Sequence, residues 1–150
     1  MRFVARSLPT VVALLLASVT IAAGQEDKAT AARAMLERAV AAMRADEPKA
    51  IAAFNRGAEG FHHGDLYVFC ARNNGRVDAH IDPAQIGRNI LDVYDIDGVA
   101  LGREIMGAAR QGEFTAVEYM WPRPGTREPA QKVTFVTRVA GHVCGVGYYK

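Results

Sequence analysis

The chain has 150 residues, half of them apolar and 23% charged, with 18 basic and 16 acidic residues. That balance fits one globular domain with an ordinary buried core and excludes a disordered or fibrous chain. A formal net charge of +2, with the charges scattered, leaves no basic stripe for a phosphate backbone or an anionic lipid surface, so nucleic acid is not an expected partner.

Residues 1–24 read as a secretory signal peptide. Arg2 and Arg6 form a positive n-region, VVALLLASVTIAA an apolar h-region, and Ala22-Ala23-Gly24 the small residues before a cleavage point. An uncleaved membrane anchor is the second reading, disfavoured because the run is shorter than the ~20 residues of a transmembrane helix. Cleavage leaves residues 25–150 as a single exported domain with no membrane span, secreted and periplasmic in the simplest case. Arg2 and Arg6 are two of the 18 basic residues, so without them 16 basic face 16 acidic groups. Export lets the two cysteines, Cys70 and Cys144, persist as a disulfide; the competing reading is two buried free thiols.

From Glu26 to Ala45, Ala32, Met35, Leu36, Ala39, Val40 and Met43 recur at steps of three and four, which predicts an amphipathic helix. The helix restarts with Asp46 as cap, Pro48 in the first turn and Gly57 at the end. After Gly64 the period becomes two. In DLYVFCA, Leu66, Val68 and Cys70 alternate with Tyr67, Phe69 and Ala71, and NNG at Asn73 to Gly75 supplies the turn of a hairpin whose returning strand is RVDAHI.

DPAQIG then predicts one helical turn, capped by Asp82, begun by Pro83 and ended by Gly87. A second short helix is expected to open on a capping Asp97, to turn Val99, Leu101, Ile105 and Ala109 to one side and to stop at Gly112. FTAVEYMW, QKVTFVTRV and HVCGVGYYK follow as a three-strand meander with turns at PRPGTREPA and Ala140-Gly141. The fold class is α+β: a long N-terminal helix and a five-stranded antiparallel sheet with short crossover helices.

The ordered set of a LYVF strand, AHxxPxxxGxN from Ala79, the DxDG helix start, YxWPxP from Tyr119, a lysine strand and a terminal GxGYY resembles the type 2 single Cache domains. The resemblance covers most of the chain after the leader. It implies a PAS-like extracytoplasmic sensing domain whose sheet and crossover loops enclose a small organic ligand, frequently a short carboxylate. Carried over motif by motif, it implies a ligand set of Tyr67, Phe69, His80, Tyr119, Trp121 and Lys132. Phe135 stands where the family usually has a tyrosine, a departure that bears on ligand identity. PAS-like topology also makes the first and last long strands central neighbours, which implies that Cys70 and Cys144 face each other and are bonded.

Each of these residues has a plainer reading. Tyr119 and Trp121 share a strand face and could be core as well as pocket wall. Lys132 could be a solvated edge residue or the cation that neutralises a carboxylate. His80 could be a satisfied core histidine or a neutral donor and acceptor. His62-His63 and His142 offer no spaced metal set, the EF-hand-like run from Val93 to Glu104 lacks its first carboxylate, and no nucleophile elbow or phosphate loop is present. No metal, no cofactor and no enzyme activity are therefore expected. The expected function is an exported binding or sensing module for a small organic acid, acting in trans on a membrane receptor. The alternative is an extracytoplasmic protein–protein interaction module with no metabolite ligand.

Overall fold

The computed structural model describes residues 19–150, with side chains from Asp27 onward. The expected leader at residues 1–24 lies outside the described residues except where the opening helix begins. That helix, α1, runs Val19–Ala45 and is followed by α2, Glu47–Arg56. Ala32, Met35, Leu36, Ala39 and Met43 of the predicted stripe are all buried, and Val40 is partly so. Asp46 caps α2 by accepting the Lys49 N–H at 3.1 Å, and Gly57 ends it at φ 61, a left-handed conformation glycine adopts without strain.

Six antiparallel strands follow: β1 His62–His63, β2 Leu66–Arg72, β3 Val77–Ala79, β4 Thr115–Pro122, β5 Pro129–Val139 and β6 His142–Tyr149. Their order is β1-β2-β6-β5-β4, with β3 also on β2. The strand beyond the expected five is β1, two residues paired to the start of β2 and too short to carry an alternating pattern. At the centre, β2 lies beside β6 with Cys70 directly opposite Cys144, and the two are disulfide-bonded across a Cα–Cα distance of 4.1 Å.

The period of two sorts the sheet into two faces. Val68, Cys70, Val133, Cys144 and Val146 pack against α1 and α2, where Leu36, Met43 and Phe54 meet them. Each large apolar side chain buried there is worth about 1.5–3 kcal/mol. Phe69, Ala71, Val117, Val136 and Val143 face the other way, beneath the crossover segment.

The crossover holds a 3₁₀ turn at Pro83–Gln85 capped by Asp82, a second at Ile90–Asp92, and helix α3 at Leu101–Ala108. Its helix start departs from expectation. Asp97 does not cap α3; Asp95 takes the local N–H groups instead, accepting from Asp97 at 3.0 Å and Val99 at 2.8 Å. That is the turn an aspartate makes with backbone just ahead of it. The helix opens only after Ala100, which supplies no side-chain cap, and so Val99 sits before it and is 41% exposed instead of buried. Gly102 lets α3 rest backbone to backbone on the second 3₁₀ turn, since a Cβ there would stand 1.6 Å from the Ile90 carbonyl oxygen. The returning strand also shortens to three residues after a register shift between Cys70 and Ala71.

Candidate ligand-binding site

Between the sheet and the crossover lies a cavity of about 430 Å³. Strand register orders the sheet face beneath it. Tyr119, Lys132 and Tyr149 form one cross-strand row; Val117, Thr134 and Gly147 form the next; Thr115, Val136, Gly145 and Phe69 form the third. Successive rows on one face are roughly 7 Å apart, two residues of strand rise. Of these residues Tyr119 and Phe69 reach the cavity, so the sheet offers it a phenol at one end and a hydrocarbon ring two rows along.

Five of the six expected residues, Tyr67, Phe69, His80, Tyr119 and Trp121, line the cavity. Lys132 does not reach its surface. It lies in mid-strand, 2% exposed, where Nζ donates to Tyr67 Oη at 3.0 Å and sits 4.5 Å and 4.9 Å from the ring centres of Tyr67 and Tyr149. It is neither a solvated edge residue nor part of an ion pair among the described residues. Burial lowers its pKa to about 7, and the nearby Asp65 only partly opposes this. Aromatic rings replace some of the lost hydration by cation–π attraction.

The lysine fits because Gly147 of β6, opposite Thr134 and diagonal to Lys132, carries no side chain. A Cβ on Gly147 would stand 2.4 Å from Lys132 Cε and 2.3 Å from Thr134 Oγ1, and one on Gly145 would stand 2.7 Å from the Phe69 ring. The two glycines of CGVGYY are therefore spacing elements for the pocket face.

Because Lys132 donates to Tyr67 Oη, the Tyr67 hydroxyl proton is left to be given elsewhere. Burial raises the Tyr67 pKa, so the phenol stays neutral and a donor. Tyr119 Oη and Thr134 Oγ1 share a 2.7 Å hydrogen bond, and burial raises that phenol as well. His80 Nδ1 accepts the Asp82 N–H at 2.9 Å, which places the ring proton on Nε2. Burial, with the Lys132 charge, depresses His80 to about 4, so it too is a neutral donor at physiological pH. Asn55 of α2 holds this corner, accepting the His80 N–H and donating to the Asp78 carbonyl, both at 3.0 Å. Neutral donors beside one amine form a site for a negatively charged or strongly accepting group.

Sequence reasoning missed Arg123, Tyr149 and His62. Arg123 lines the cavity from the turn after β4, pairs with Asp65 at 2.5 Å and lies 4.6 Å from the Tyr149 ring. Tyr149 is 1% exposed and donates to the Pro122 carbonyl at 2.6 Å. These partners lie far apart in the chain, and no local pattern announces them. Phe135 faces the helices, 6.1 Å from the Tyr148 ring, so its lack of a hydroxyl takes nothing from the pocket.

Comparison with known proteins agrees with this architecture. The family profile described as Single Cache domain 2 matches residues 24–149. The methyl-accepting chemotaxis protein McpP of Pseudomonas putida is 31% identical over 70 residues, 45% of this chain but only 13% of that receptor. A solved periplasmic sensor domain of a chemotaxis protein superposes with a TM-score of 0.66 at 26% identity, over 88% of this chain and 99% of that one. A Cache chemosensory domain described for carboxylic acid recognition gives 0.61 at 21% identity, over 86% and 95% of the two chains. With its helix-backed antiparallel sheet, its crossover-covered cavity and this match over nearly the whole described length, the chain belongs to the Single Cache domain 2 family of extracytoplasmic ligand-binding sensor domains.

Proposed function

We propose that this protein is an exported binding module that captures a small organic acid in the cavity above Tyr67 and Lys132. The observation that carries this reading is the buried Lys132 amine, which has no carboxylate partner among the described residues and touches the cavity wall through Tyr67. A buried cation without a counter-ion is costly, and a ligand carboxylate received by the Tyr67 hydroxyl would lower that cost. Tyr119, Trp121 and His80 shape the acid's surroundings and exclude water, and Phe69 supplies apolar wall. The carboxylic acid recognised by the Cache chemosensory domain of similar fold supports the same class.

The disulfide and the family's extracytoplasmic setting support a periplasmic location after cleavage near Gly24. The relatives are receptor sensor domains, which supports a membrane receptor as the partner of the loaded form. A thermal-shift panel of carboxylates with their amides as controls tests the binding. One acid at 100 times its dissociation constant stabilises by about 2.7 kcal/mol. Acids should raise the melting temperature of the natural protein and do so far less in Lys132→Met; a panel in which amides match acids would discard the carboxylate reading.

A further inference from the structure

The cavity is larger and more apolar than a two- or three-carbon acid requires. At roughly 30 Å³ per heavy atom, the share of a water molecule in the liquid, an acid of five heavy atoms fills about 150 Å³. That is about a third of the 430 Å³ available. One side of the remaining lining is apolar, while Gln85, Arg123 and Thr126 line it elsewhere. Beyond Tyr67 and Tyr119 the floor continues as Phe69, and the roof over it is Val77, Ile90, Val93, Leu101 and Ile105. These roof residues come from β3, from the second 3₁₀ turn and its flank, and from α3, locked together where Gly102 meets the Ile90 carbonyl. Water held against that wall would have few polar partners, which favours its displacement by hydrocarbon.

We propose that the ligand is a carboxylate with an apolar tail, a medium-chain, branched-chain or phenyl-substituted acid, whose head lies at the Tyr67–Lys132 end and whose tail runs along Phe69 toward Ile90, Leu101 and Ile105. This rests on the carboxylate reading of the site and extends it from head to tail. Polarity and register agree on the direction, because Phe69 lies two residues along β2 from Tyr67 on the same face, and in the cross-strand row two steps from that of Tyr119 and Lys132.

Calorimetry with the natural protein and a homologous series tests it: acetate, propionate, butyrate, hexanoate, octanoate, phenylacetate and the amide of each tight binder. Affinity should rise about fourfold for each methylene buried, then level off when the cavity is full. Val93, partly buried on the wall, is a position where a larger side chain shortens the cavity without opening the core. Val93→Phe should weaken hexanoate or phenylacetate at least tenfold and leave propionate within about twofold; circular dichroism and the melting temperature check that the variant folds. If acetate and propionate bind as tightly as the longer acids, the tail is wrong and the carboxylate site survives. If amides bind as tightly as their acids, or no acid binds, the carboxylate reading fails and the proposal with it.

Discussion

Lys132 Nζ and Tyr67 Oη are joined by a 3.0 Å hydrogen bond that is buried on both sides, linking β5 to β2 across the intervening β6. The amine is the donor, so the phenol's own proton is free for the cavity. The pair thus extends a charge that is itself inaccessible to a ligand.

The first consequence is a pH dependence of stability. Burial lowers Lys132 from 10.5 to about 7, so between those values the unfolded chain holds a proton that the folded chain does not. Stability therefore gains from this group as pH rises from about 7 to 10.5, by at most about 1.4 kcal/mol per unit. The cost of the buried charge is present in full below about 7. Lys132→Met should remove this contribution and raise the urea midpoint at pH 6. Equal pH slopes in the two proteins between pH 7 and 9 would show that the amine is not held as the structure places it.

Ligand binding should carry the opposite pH preference. A carboxylate favours the ammonium, so its affinity should be steady below pH 7 and fall up to tenfold per unit above it, until the bound amine also deprotonates. Calorimetry in buffers of different ionisation enthalpy should register proton uptake at pH 8. No uptake, with a flat affinity from pH 6 to 9, would remove Lys132 from the binding equilibrium.

Tyr67→Phe keeps the ring and deletes the relay. It leaves the Lys132 amine without its hydrogen-bond partner, at a cost of about 1–3 kcal/mol in stability. Carboxylate affinity should drop ten- to a hundredfold, because the group that conveys the charge to the cavity is gone. Retained affinity in this variant would mean that the head group binds elsewhere.

Much of this arrangement was legible in the sequence where the period was clean. Leu66 to Ala71 alternates without interruption, so both faces of β2 could be read directly, whereas Tyr67 and Phe69 as cavity residues came from the family resemblance. Lys132 could not be placed in the same way, since an isolated lysine in a strand looks alike at an edge and in the interior. What buries it is the pairing of β5 on both sides, to β4 and β6, a long-range fact. The signal that was available is Gly145-x-Gly147: two glycines on one face of a strand mark space reserved for large neighbours. The failure at Asp97 has a local cause, because Asp95, Asp97 and Gly98 offer two competing caps and propensity does not rank them. Arg123 with Asp65, 58 residues apart, left no trace in any window.

Gly147→Ala tests the reserved space. Its Cβ would overlap Thr134 Oγ1 and Lys132 Cε, so the strand or both side chains must move, at about 1–3 kcal/mol. Thr134→Ala in the same chain should recover part of that loss, a coupling that a double-mutant cycle measures. Additive effects on the urea midpoint, with carboxylate affinity unchanged, would show that the glycine serves only the backbone.

The disulfide joins the two central strands at the row next to Phe69 and Gly145, so it should matter to both the fold and the pocket. Cys70 and Cys144 are 74 residues apart, and closing such a loop stabilises by roughly 4 kcal/mol in the chain-entropy view. Both cysteines are fully buried, and alanine in their place removes two sulfurs from a close-packed layer against α1 and α2. The paired Cys70→Ala, Cys144→Ala variant should therefore melt about 10–20 °C lower, and reductant should lower the melting temperature of the natural protein while leaving the variant unchanged. Peptide mapping without reductant should recover the two cysteines as one cross-linked species from protein taken from an oxidising compartment. Free thiols at both positions in that material would refute the bond. Carboxylate affinity supplies the second readout: β2 carries Tyr67 and β6 carries Gly147, so loosening one strand against the other should widen the space around Lys132. A several-fold loss of affinity in the folded double variant, below its melting temperature, is the expected result.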